Sequence, residues 1–156
     1  MKKRIITMLL AMIIAIAGVM NHGINVCAEG ECEDVQMSAI MTDDSYIGYA
    51  NSQTWGVYLS DGYSIINKIS SSKVGAGGCT NAVVQCSVSL TSILERKVNG
   101  SWVRVTSWTQ TNASSYYAMI SKSVTVTSGY YYRVRSHHYA NTDSASSYTS
   151  ALWIGK

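Results

Sequence analysis

The sequence predicts an all-β protein, a small antiparallel β-sandwich of six or seven strands behind an N-terminal signal-peptide helix. Three observations carry the prediction. Most of the 156-residue chain reads as short runs in which apolar and polar residues alternate, the period of a half-buried strand. Turn residues punctuate these runs at regular spacing, as sandwiches require. From about Tyr46 to the end no segment carries a convincing 3.6-residue apolar stripe.

The chain opens on Met1-Lys2-Lys3-Arg4 and continues from Ile5 to Met20 without a charge, the basic and apolar regions of a secretory signal peptide. The apolar run is shorter than the ~20 residues that a bilayer-spanning helix needs. Cleavage fits after Val26-Cys27-Ala28, with a rival site after Ala15-Ile16-Ala17. The expected product is secreted, in contact with the membrane only through the signal peptide, and loosely wall-associated at most. With no proline in the sequence, wall attachment through a Leu-Pro-x-Thr-Gly sorting signal is not expected.

Loss of Lys2, Lys3 and Arg4 would leave nine basic residues against nine acidic ones. Six of the acids fall between Glu29 and Asp44 with no Lys or Arg among them, so residues 29–45 read as an acidic flexible arm. A sharper alternative folds this arm back over a basic face. From Ser45 onward only Asp61, Glu95 and Asp143 oppose nine basic residues. The expected organisation is therefore signal peptide 1–28, arm 29–45 and β domain 46–156.

Within the domain, Tyr46–Tyr49 and Thr54–Leu59 are weak strand candidates. Tyr63–Ile69 follows the turn Asp61-Gly62, and Gly75-Ala76-Gly77-Gly78 reads as a flexible loop. The strongest local signal is Cys86–Val98, Asn99-Gly100, then Ser101–Val105, since Asn-Gly between alternating runs marks a type I′ hairpin. A two-residue turn sets Glu95 opposite Arg104 as an outer charge pair and Leu94 opposite Val105 as an inner apolar pair; a three-residue loop would shift this by one. A polar loop is expected over 109–115, strands over 116–126 and 130–139, a loop over 140–146, and a last strand over 147–154. With no Phe, the four Trp (Trp55, Trp102, Trp108, Trp153) and the tyrosines must supply the large packing surfaces.

The run Ser128-Gly129-Tyr130-Tyr131-Tyr132-Arg133-Val134-Arg135 resembles the start of strand F in fibronectin type III and immunoglobulin-like sandwiches, where a corner tyrosine bonds back to the preceding turn. Tyr130 or Tyr132 would hold that place. The stretch from Val84 to Ile154, with Asn99-Gly100-Ser101-Trp102, Ser107-Trp108, Gly129–Val134 and Trp153-Ile154, is similar to a family of small secreted Firmicutes proteins of unknown function. That resemblance implies export and fold, and brings no catalytic residue.

Chemistry is sparsely furnished. Paired-carboxylate hydrolysis needs two acids flanking a cleft, and outside the arm there are three acids, one already assigned to Arg104. His137 and His138 are consecutive on a strand, so they point to opposite faces and do not chelate one ion. No Gly-x-Ser-x-Gly elbow is present. The expectation is a non-enzyme without cofactor or metal, and Cys79 with Cys86 as the disulfide that export would permit.

One constellation stands out. Tyr131, Arg133, Arg135, His137 and Tyr139 share one face of the strand that starts at Tyr130. Flat rings interleaved with guanidinium forks suit anionic polymers or sugars, the ring stacking and the fork binding phosphate or carboxylate. The expected partner is an anionic wall polymer, a glycan or a host surface. Nucleic acid is not expected, because the mature charge balances and export removes that partner. The alternative is a bacteriocin-like or toxin-like effector quieted by its acidic arm. The chain is expected to be a monomer.

Overall fold

A computed structural model describes residues 32–51 and 56–155. The leader, both cleavage sites and Trp55 lie outside the described residues. The fold is all-β: β1 (Cys32–Asp34), a one-turn helix α1 (Met37–Ile40), β2 (Tyr46–Tyr49), β3 (Leu59–Ser70), β4 (Lys73–Val98), β5 (Ser101–Thr125), β6 (Tyr130–Ala140), β7 (Asp143–Tyr148) and β8 (Leu152–Ile154). All eight strands join in one antiparallel sheet.

Two strands of 26 and 25 residues replace several of the short strands expected. The first half of β4 lies between β3 and the second half of β5; the second half of β4 lies between the first half of β5 and β6. The hairpin changes partners where β4 bulges. Between Asn81↔Tyr117 and Cys86↔Ser115, four residues of β4 oppose the single Tyr116. Such a bulge bends a strand and increases its twist, and it brings the two halves of the sheet face to face. Ser64 Oγ of β3 donates to Ser136 Oγ of β6 at 2.8 Å across the gap.

Two apolar clusters fill the interior, one around Ile66, Val74, Leu94, Val124, Tyr132 and Val134, the other around Leu59, Val88, Leu90, Ala118 and Ile120. Trp108 packs against both. Between them runs a polar seam. Ser64 Oγ lies 2.7 Å from Ser147 Oγ, and Ser136 Oγ 3.2 Å from Ser92 Oγ. His138 Nε2 lies 2.8 Å from Ser147 Oγ and Nδ1 2.9 Å from Thr80 Oγ1. Each of these side chains is shut off from solvent, so their hydrogen bonds offset the desolvation that an unpaired polar group would suffer.

Local chemistry accounts for the main turn. Asn99 and Gly100 have φ of 49° and 85°, the pair of positive values that a type I′ turn needs. Glu95 falls opposite Arg104, the two-residue register. One residue further the register slips, so that Leu94 faces Thr106 and not Val105. The inner apolar pair is corrected accordingly.

Three expected interruptions are strand. Asp61-Gly62 lies inside β3, residues 109–115 inside β5, and Gly75–Gly78 inside β4. The glycines of β4 serve close approach: a Cβ on Gly75 would meet Ile40 Cγ2 at 2.3 Å, and one on Gly77 would meet the Ile120 carbonyl oxygen at 2.0 Å. The acidic segment is also corrected. From Cys32 onward it is not a solvated arm: β1 pairs with Val124–Lys122 of β5, and α1 presses Ile40, fully buried, onto Gly75 of β4. Glu33 pairs with Lys73 at 3.5 Å and Asp34 with Lys122.

Tyr132 Oη donates to the Thr127 carbonyl at 2.7 Å, the bond that a corner tyrosine makes. Tyr132→Phe is expected to cost about 1 kcal/mol with the backbone unchanged, read as a lowered denaturant midpoint at constant m-value.

Candidate binding face

Strand alternation divides β6 cleanly. Tyr132, Val134, Ser136, His138 and Ala140 point inward and are buried, while Tyr131, Arg133, Arg135, His137 and Tyr139 point outward. The structure thus gathers all five predicted residues on one outer face, formed by the first half of β5, the second half of β4, β6, β7 and β8.

The centre of this face is a carboxylate between two arginines. Arg133 Nε donates to Glu95 Oε2 at 2.7 Å and Arg135 Nε to Glu95 Oε1 at 3.1 Å. Glu95 is only 5% exposed although it lies on the outer face. Its ion-pair partners come from β6, two strands away in sequence, so the expected Glu95–Arg104 ion pair is corrected even though the two residues are opposite in register. Cross-strand neighbours on both sides compete for one side chain, and the two guanidiniums offer more donors.

Aromatic rings frame the cluster. The Arg133 guanidinium sits 4.3 Å from the Trp102 ring centre and 5.7 Å from that of Tyr148, and Lys97 Nζ lies 5.9 Å from Trp102. Tyr131 packs on Trp153 with centroids 5.0 Å apart. Tyr131, Tyr139, Tyr148 and Trp153 are all exposed. Trp102, Tyr148 and Trp153 escaped the sequence-level site because they lie on other strands. The signal that would have found them is the same alternation, applied once the partners of β6 are known.

The far end of the face is hydroxyl-rich. Thr91 Oγ1 lies 2.9 Å from Thr109 Oγ1, and Ser89 Oγ 2.8 Å from Thr111 Oγ1. His137 links the two ends: its Nε2 is 3.0 Å from Arg135 Nη1 and its Nδ1 3.0 Å from Ser146 Oγ. Guanidinium has no acceptor, so Nε2 accepts and the imidazole carries its proton on Nδ1, donating to Ser146. Of the acidic segment, Glu33 and Asp34 turn away from this face: they are held by Lys73 and Lys122 on the other half of the sheet.

The two other acids of the β domain have local duties. Asp143 Oδ2 accepts from the backbone N–H of Tyr58 and of Leu59, and Asp61 Oδ1 accepts from Asn81 Nδ2 at 2.6 Å. Among the described residues no three His, Cys, Asp or Glu are grouped to hold a metal ion, and no helix is long and apolar enough to cross a membrane.

The Cys79–Cys86 disulfide is corrected. Both are free thiols on one extended strand, seven residues apart, where Cα atoms stand far beyond the ~7 Å limit for a bridge. Cys79 donates to Asn81 Oδ1 at 3.4 Å. Burial, reinforced by the charge of Asp61, pushes its thiol up to about 11, which keeps it protonated and unreactive at neutral pH.

No protein-family model matches the chain, and no curated protein or solved structure does either.

Proposed function

We propose that this protein is an exported, non-enzymatic bacterial binding module that takes an anionic glycan or wall polymer on the outer face of β6 and its neighbours. The observation that carries the reading is the row of exposed rings, Tyr131 with Trp153, Tyr148 and Tyr139, set around the Arg133–Glu95–Arg135 cluster on a single sheet face. Rings of this kind stack on the apolar faces of sugars, and guanidiniums take their acidic substituents. Its rings are exposed on three adjoining strands, β6, β7 and β8, which suits a polymer better than a small molecule. We also read the fold as an immunoglobulin-like sandwich. In support, β3, the first half of β4 and the second half of β5 follow the order A, B, E, while the second half of β4, β6 and β7 follow C, F, G. The basic, apolar opening of the sequence supports export.

A test through Arg133 and Arg135 would leave Glu95 buried and unpaired, at a cost of about 3–5 kcal/mol, and would confuse unfolding with lost binding. The rings are the better target. Retention of the protein on purified wall polymer is expected at low salt and to weaken at high salt. Tyr131→Ala with Tyr148→Ala should lower retention about 30-fold, taking roughly 1 kcal/mol per ring. Equal retention of the double variant, with an unchanged circular dichroism spectrum, would remove the face from consideration.

A further inference from the structure

The first half of β5 forms the outer edge of this same face. Its other side bonds to β4, and among the described residues a strand partner along its free edge occurs only at Lys122–Val124, where β1 docks. An open edge offers unpaired N–H and C=O groups to another chain, and proteins usually blunt it with charges, prolines, bulges or brevity. Over residues 106–112 none of these is present. The sequence Thr106-Ser107-Trp108-Thr109-Gln110-Thr111-Asn112 has no charge, no proline and no glycine, and its pairing with Leu94–Val88 runs in unbroken register between two irregularities. The same edge already accepts an added antiparallel strand from β1.

We propose that this edge pairs with the same edge of a second copy, giving a two-fold dimer in place of the monomer that the sequence suggests. An isologous contact must complement itself, and the segment does. With the two-fold axis at Thr109, Trp108 falls opposite Gln110 of the partner subunit and Ser107 opposite Thr111 of the partner subunit, every pair uncharged. Arg104 then meets Ser114 of the partner subunit, so no like charges coincide. A charged peptide finds no complementary residue along the seven, which favours the second copy over a foreign strand. Because the axis stands perpendicular to the sheet, both outer faces point the same way and merge into one surface. If the proposed polymer binding also holds, the two faces would act together on one strand of polymer.

Sedimentation velocity of the purified protein across the micromolar range provides the test, and it makes no use of a polymer, so its result is independent of the binding assay. Wild-type protein is expected to sediment as a dimer. Thr109→Lys and Thr109→Asp each set like charges face to face across the axis, and should raise the dimer dissociation constant roughly tenfold or more. Mixing the two variants in equal amounts should restore the dimer, an outcome that misfolding would not give. A wild-type monomer at every concentration, a dimer that both variants leave intact, or a mixture that stays monomeric would each overturn the proposal.

Discussion

Acidification from pH 7 to pH 4 is expected to remove about 3 kcal/mol of folding stability through a single side chain, His138. Burial, together with the nearby imidazole of His137, lowers its pKa from 6.5 to about 4 against the opposing field of Asp61. Its direct hydrogen-bond partners are the hydroxyls of Thr80 and Ser147, with no carboxylate to hold a charge. The folded state therefore keeps the ring neutral where the unfolded chain protonates it. Since the folded value lies below the unfolded one, the unfolded state binds more protons between about pH 4 and pH 6.5, and stability rises with pH through that window. It is fully present above 6.5 and lost by pH 4. Urea melts at half-unit steps should give this slope, which His137→Gln should retain and His138→Gln should abolish. A flat profile in the wild type would contradict the account.

Alanine at Gly77 should be the most damaging of the single-methyl additions to β4. The new Cβ would stand 2.0 Å from the Ile120 carbonyl oxygen and 2.9 Å from its carbon, both backbone atoms of the adjoining strand. No rotamer change relieves a clash with backbone, so β4 and β5 must part in the middle of their pairing. A cost of about 3 kcal/mol, at the upper end for overpacking, is expected. Gly100→Ala provides the contrast: nothing lies within 4 Å of its added Cβ, but φ is +85°, so the change costs only about 1 kcal/mol. Thermal melts of the two variants should separate these causes. Equal losses would show that the close approach at Gly77 relaxes without strain.

What was legible in the sequence was local. Asn99-Gly100 announced its own turn because both φ values are properties of those residues, and alternation alone placed Tyr131 to Tyr139 on one face. The misread parts depend on partners distant in the chain. Gly75–Gly78 looks like a loop until Ile40 and Ile120 are seen to occupy the room that the missing side chains leave. Asp61-Gly62 looks like a turn until His138 is found against it: a Cβ on Gly62 would lie 2.6 Å from the imidazole. Glu95 was assigned to Arg104 because a hairpin reveals one neighbour, and the strand on its other side brings two more arginines. The acidic segment read as solvated because three strand residues and one buried isoleucine leave almost no periodic trace. The missed rings of the site, Trp102, Tyr148 and Trp153, are of the same kind, each on a strand whose place beside β6 only the topology reveals.

The pairing of β1 with β5 also dictates an order of events in time. The β4–β5 hairpin closes around adjacent residues, whereas Cys32 must find Val124 across some ninety intervening positions, and contacts that distant form slowly. In a chain that emerges N-terminus first, both acids appear early: Glu33 must wait for Lys73, and Asp34 longer still, until Lys122 has been delivered. A segment that must stay soluble through such an interval benefits from carrying charge. The acidity that resembles disorder in the finished sequence is thus suited to the unfinished fold.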